Sequence, residues 1–206
     1  MEARIREGLS RVGLAMRIED WDRAKASGLN PTQLAVLGLL EGRGEGGLGV
    51  SEIAAHLGVA QPTATDSINA LERKGLLEKR PGAADRRAVR VVPTPEGLAA
   101  LREAGRRESA AGQAVAALDA GAQEALLLSL VKMIRHLQEA GAIPVQRMCV
   151  NCRHFAPFVH ADAARPHHCR FVDAAFGERE LRIDCRDHVE ADPASRAATR
   201  DVLEPG

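Results

Sequence analysis

The chain has 206 residues, enough for one ample core or for one domain with a smaller appendage. Lys plus Arg and Asp plus Glu balance at 28 each, which excludes a blanket electrostatic binder of nucleic acid but leaves room for a locally basic reader. Aromatic content is 2%, with no Tyr and one Trp, so aliphatic side chains must build the core, and the Ala and Leu of the first two thirds suit helices.

Ile5, Leu9, Val12 and Met16 step by four, three and four residues, one face of a helix that continues through Trp21. Asn30-Pro31 opens a second helix, PTQLAVLGLLEG, and Gly42 to Gly49 reads as a loop. Ser51 is placed to cap the short helix SEIAAHL, with Glu52 in its first turn, and Gly58 breaks the pattern. Gln61-Pro62 starts PTATDSINALERK, which Gly75 ends. LLEKR and RAVRVVP are β-prone runs around the turn PGAAD, a hairpin. From Thr94 the pattern is helical through Leu118, and a last helix is expected over about residues 122–140, with Leu126, Leu127, Leu130, Val131, Ile134 and Leu137 on one stripe. Gly141 and Pro144 stop it.

Composition then shifts. All four cysteines, all four phenylalanines and five of the seven histidines follow Pro144. So little aliphatic surface would profit from a metal staple. The expected organisation is therefore residues 1–144 as one domain, 145–190 as a cysteine module and 191–206 as a flexible tail. No apolar run approaches the roughly 18 residues of a membrane span. The charged start MEARIREGLSR lacks the apolar core of a secretory signal, so a cytoplasmic protein without a membrane partner is expected. Reduced thiols there turn the cysteines from disulfides toward metal.

A short helix, a glycine turn, a second helix and a hairpin follow the order of a winged helix-turn-helix. Within GVSEIAAHLGVAQPTATDSINALERKGLLEKRPGAADRRAVRVVPTPEG, the run ADRRAVRVVPTPEG resembles the wing signature of the MarR-type transcriptional regulators. The fold class implied is mainly α with a small β-hairpin wing, dimerisation helices and a small cysteine-rich C-terminal module. On such a frame the second helix offers Gln61, Thr63, Thr65, Ser67 and Asn69 to base edges or phosphates. Arg86, Arg87 and Arg90 make a basic wing for phosphate or minor-groove contact. The resemblance further implies that Asp85 orients Arg87, and that the first helix and the two after the wing, with their apolar stripes, form a homodimer on a pseudo-palindromic double-stranded DNA operator. Two positions depart from the family pattern: Asp66 stands where these regulators often carry Arg, and Pro93 replaces the usual Leu and is expected to shorten the second wing strand.

Cys149-x2-Cys152-x16-Cys169-x15-Cys185 has the stoichiometry of a four-cysteine metal site. Zinc ribbons bring two CxxC knuckles, whereas this chain has one followed by two single cysteines. That spacing resembles small high-potential iron–sulfur proteins and related cluster modules. An iron–sulfur cluster, [4Fe-4S] before [2Fe-2S], is therefore preferred to zinc, with Phe155 and Phe171 available to shield it. His167 or His168 beside Cys169 is the alternative ligand. The expected function is a non-enzymatic regulator, repression its expected sense, that senses redox, oxygen or iron status. The alternatives are a regulator with structural zinc and a small-molecule effector pocket, or a ferredoxin-like electron-transfer protein.

Overall fold

A computed structural model describes residues 1–43, 46–82, 87–106 and 109–203. The chain divides into two compact units, Met1–Leu118 and Asp119–Gly206.

The first unit opens with α1 (Glu2–Ala26), a long helix whose Ile5, Val12, Met16, Ile18 and Trp21 stand in solvent. Its last turns are anchored: Ala24 is fully buried, and Arg23 Nε donates to the Ala104 carbonyl at 3.1 Å. α2 (Pro31–Leu40) starts at a reciprocal cap, Gln33 N–H donating to Asn30 Oδ1 at 2.9 Å while Asn30 N–H donates to Gln33 Oε1. α3 (Val50–Leu57) begins at Gly49 rather than at Ser51. The Glu52 carboxylate accepts the Gly49 N–H at 2.6 Å, so the glutamate expected merely to favour the first turn closes the helix start. Gly58, at φ 62°, ends α3 in the left-handed region, and α4 (Gln61–Arg73) follows. Leu37, Leu40, Ile53, Ile68 and Leu71 from these helices, all essentially inaccessible, form the core with Leu77 and Val91.

β1 (Leu77–Pro81) and β2 (Val89–Pro93) make the antiparallel wing, registered from Leu77 opposite Pro93 to Pro81 opposite Val89. Pro93 thus stays within the strand, at its end, where a missing N–H costs no central ladder bond. Leu48 pairs with Val91 on the other side of β2. Thr94 then caps α5 (Pro95–Gly105): its Oγ1 accepts the Gly97 N–H at 3.1 Å and donates to the Gly75 carbonyl at 2.8 Å. A Cβ at Gly97 would overlap the Leu76 carbonyl oxygen and lie 2.9 Å from its carbon. The Thr and Gly of the TPEG run are thus the cap and the close-approach point that seat α5 on the start of the wing. The continuous helix expected through Leu118 is instead two, α5 and α6 (Ala110–Ala116). The second has its own cap, Ser109, and Glu19 of α1 accepts both the Ser109 hydroxyl and the Ala111 N–H at 2.8 Å.

The second unit begins with α7 (Ala120–Glu139), capped by Asp119. Its Val131 is buried with Met148, Val150, Phe155 and Leu181, and Leu127 and Ile134 pack on the same cluster. The division therefore falls before α7, not near residue 144, because the inner half of the apolar stripe is the floor of the cysteine segment. Leu126 and Leu137 of that stripe remain exposed. A 3-10 turn (Cys149–Asn151) leads into a three-stranded antiparallel sheet of β3 (Phe155–Ala156), β4 (His167–Cys169) and β5 (Ala174–Phe176), in that spatial order. The segment expected as a tail carries α8 (Pro193–Leu203), whose first turn Asp192 caps through the Ser195 N–H at 3.0 Å and whose Leu203 packs on the core around Met148.

Candidate nucleic-acid interface and candidate metal centre

On α4 the periodicity sorts the expected readers. Ala64, Ser67, Ile68 and Leu71 are buried, so Ser67, at 7% exposure, faces inward, one turn after Ala64 and among core aliphatics, and takes no place on the open face. Gln61 and Thr63 are exposed, as is Asp66. Thr65 is half-buried and its hydroxyl donates back to the Gln61 carbonyl at 2.9 Å. Asn69 is tethered: its Oδ1 accepts from Lys79 Nζ of β1 at 2.7 Å, and the same ammonium contacts Glu72 at 2.7 Å. Among the described residues no side chain caps the start of α4, which leaves its first-turn N–H dipoles to an outside acceptor.

In the wing, Arg87 is exposed and Arg90 is half-buried. Arg90 forms an ion pair with Glu52, the carboxylate that also closes the start of α3. Arg86 and Asp85 lie outside the described residues. Sequence reasoning missed both tethers, Lys79 to Asn69 and Glu72, and Arg90 to Glu52.

Residues 27–88 match the model of the MarR family. This segment is similar to that family. Solved structures with the same fold include a MarR transcriptional regulator from Methanosarcina mazei Go1, 20% identical over 66% of this chain and 97% of its own, at TM-score 0.56. They also include MepR of S. aureus in complex with DNA, 22% identical over 66% and 98%, at 0.54. A third is CouR from Rhodococcus jostii RHA1 bound to p-coumaroyl-CoA, 24% identical over 66% and 90%, at 0.52. No curated protein matches the sequence. The fold class around that segment, mainly helical with a small antiparallel wing, is the one these solved structures share. None of the described helices is long and apolar enough to cross a membrane.

The four cysteines come together in the second unit. Cys149, Cys152, Cys169 and Cys185 line one cavity of about 230 Å³, with Phe155, Phe171 and Phe176 among its apolar walls. Cys149 and Cys152 reach it from the 3-10 turn, in which the Cys152 N–H donates to the Cys149 carbonyl at 2.9 Å. Cys169 comes from β4, opposite Phe155. Cys185 follows Asp184, whose carboxylate pairs with Arg147 at 2.5 Å while the Cys185 N–H donates to the Arg147 carbonyl at 2.9 Å. The Arg182 N–H donates to Cys149 Sγ at 3.3 Å, and the Cys149 N–H returns a bond to the Arg182 carbonyl at 3.0 Å. Burial pushes the Cys149 thiol above its ordinary pKa; the Arg182 N–H opposes this, and the other three sulfurs add to it. Among the described residues, no three His, Cys, Asp or Glu groups lie close enough together to hold one ion.

The histidines divide. His154 lines the cavity, its ring 5.5 Å from that of Phe171. His167 is fully buried among Phe155, Phe158 and Phe176, accepts the Phe158 N–H at Nδ1, and is held below its ordinary pKa by burial. His168 lies 3.1 Å from His160 and 3.2 Å from Asp173. Neither His167 nor His168 borders the cavity, so the alternative ligand set has no support from their placement.

Proposed function

We propose that the chain is a dimeric DNA-binding transcriptional regulator whose Cys149, Cys152, Cys169 and Cys185 hold an iron–sulfur cluster and report redox, oxygen or iron status. The observation that carries the reading is the convergence of all four thiols on one cavity in a chain that also bears a MarR-type winged helix.

α4 enters the major groove of a pseudo-palindromic operator, its uncapped start toward a phosphate and Gln61, Thr63 and Asn69 toward base edges. Arg87 meets the backbone beside the groove. The DNA complex of MepR, which shares the fold, supports this docking. A second copy accounts for α1, whose solvent-facing Ile5, Val12, Met16, Ile18 and Trp21 need cover.

The donor set fits a cluster. A single tetrahedral zinc with bonds of about 2.3 Å holds its sulfurs only about 3.8 Å apart and leaves no void between them. Four thiols that line one cavity, among described residues of which no three ligand groups meet on a single ion, favour the larger [4Fe-4S] group. When bound, such a cluster supplies one-electron chemistry and sensitivity to oxygen. Phe155 and Phe176 would wall it on one side, and the Arg182 N–H would stabilise the Cys149 thiolate. The Arg147–Asp184 pair ties the approach to Cys149 to the approach to Cys185.

The test is anaerobic purification of the full chain, with its visible spectrum and its iron, sulfide and zinc content per chain, followed by selection of bound DNA from a random pool. Iron and sulfide in matching amounts, lost together in Cys149→Ser or Cys185→Ser, with a footprint on a symmetric site, support the reading. A colourless protein with one zinc per chain would make the module a structural staple. A cluster without any DNA footprint would make the chain an electron carrier.

A further inference from the structure

We infer that Val150 and Asn151, the two residues inside the Cys149–Cys152 turn, transmit the state of the cysteine site to α7, with the Asn151–Gln138 hydrogen bond as the latch. The inference rests on the cluster-sensing reading and names its route. A turn required only to bring two thiols together has no need of a buried amide, yet Asn151 is 4% exposed. Its Nδ2 donates to Gln138 Oε1 of α7 at 2.6 Å and to the Gln146 carbonyl at 3.4 Å. Its own carbonyl accepts the Ala191 N–H at 2.9 Å, on the approach to α8. Gln138 is held in turn, its Nε2 donating to Met148 Sδ at 3.2 Å, and Met148 immediately precedes Cys149. Val150, at 3% exposure, belongs to the cluster that buries Val131 of α7.

Both residues between the first two thiols are therefore tied toward one helix, Val150 through the apolar cluster it shares with Val131 and Asn151 through a polar bond. A buried amide is tolerated only while bonded, so the turn cannot change shape without either dragging Gln138 or leaving Asn151 unsatisfied. The geometry makes the conformation of the turn and the order of the C-terminal half of α7 mutually dependent. That half also carries the exposed Met133 and Leu137, a face available to a second copy. Asn151 and Gln138 act as positioning residues and touch neither the metal nor DNA.

Gln138→Leu breaks the latch, and Gln138→Glu keeps an acceptor for Asn151. Each full-length variant is compared with the wild type, cluster-loaded and stripped by chelator and oxidant, for affinity to one DNA site selected by the wild type and for amide hydrogen exchange over residues 131–139. The wild type is expected to differ between its two forms by about 5–150-fold in affinity, with faster exchange in the stripped form. Gln138→Leu should keep the visible spectrum, collapse that ratio to about one and exchange fast in both forms, while Gln138→Glu behaves as the wild type. A wild type that binds DNA equally in both forms overturns the sensor reading and the latch with it. A responsive wild type whose exchange is unchanged on stripping, or a Gln138→Leu protein that responds as fully as the wild type, overturns the latch alone.

Discussion

Gly97→Ala tests how the wing is seated. The added Cβ would overlap the Leu76 carbonyl oxygen and stand 2.9 Å from its carbon and 3.2 Å from Leu37 Cδ2. The Leu76 carbonyl is backbone just before β1 and Leu37 is fully buried, so neither can swing aside, and α5 must back away. That movement stretches the Thr94 N–H bond to the Leu76 carbonyl, now 3.1 Å, and the Gly97 N–H bond to Thr94 Oγ1. Overpacking of this kind costs about 1–3 kcal/mol and a weakened cap about 1 more, offset by about 1 kcal/mol of helix propensity gained by alanine. The net is a loss of about 1–3 kcal/mol, which for a unit of this size lowers the melting temperature by about 4–12 °C. Thermal melting of the full chain with DNA affinity measured at 25 °C reads both consequences, since a displaced β1 carries the wing with it. An alanine variant that melts at or above the wild-type temperature would refute the close-approach argument and give the decision to helix propensity.

Glu52→Gln should free Arg90 while still accepting the Gly49 N–H; tighter DNA binding at low salt is expected, with a salt-dependence slope steeper by about 0.9, and an unchanged slope would mean that Arg90 faces no phosphate. Thr63→Ala should weaken DNA binding and alter site preference in a selection from random DNA, whereas Ser67→Ala should leave both unchanged because its hydroxyl is buried. The Glu19 carboxyl is held below its ordinary pKa by the Ala111 N–H and then by the Ser109 hydroxyl, so its contribution to stability is present above the unfolded carboxylate pKa and disappears as pH falls through the folded value. Urea midpoints followed down the acid limb should therefore fall less steeply in Glu19→Gln than in the wild type, and identical limbs would remove Glu19 from the account.

Local signals carried much of the first unit. Asn30-Pro31 and Gln61-Pro62 mark true helix starts, and the wing runs kept their register even with Pro93 at the end of a strand. What was not legible depended on which face the tertiary structure uses. Ser67 looks like any polar residue of the recognition helix until Ala64, Ile68 and Leu71 show that it shares their side. The stripe on α7 announces burial but not its partner, and it is Met148, Val150 and Phe155 of the following segment that cover it. Ser109 as a second cap and Asp192-Pro193 as a helix start were present as signals, outweighed by uniform helical composition in one case and by polarity in the other. Convergence of the four cysteines lay beyond spacing altogether, because it depends on β4 lying beside β3 and on the Arg147–Asp184 tie.

Trp21 is the chain's one tryptophan, and no tyrosine accompanies it. It stands 61% exposed on α1, among the side chains that a second copy would cover. The intrinsic ultraviolet emission of the whole protein is thus the signal of one indole on that apolar face. Emission that shifts to longer wavelength on dilution would follow monomer release without any label, and the dissociation constant of the pair could be read from a simple concentration series.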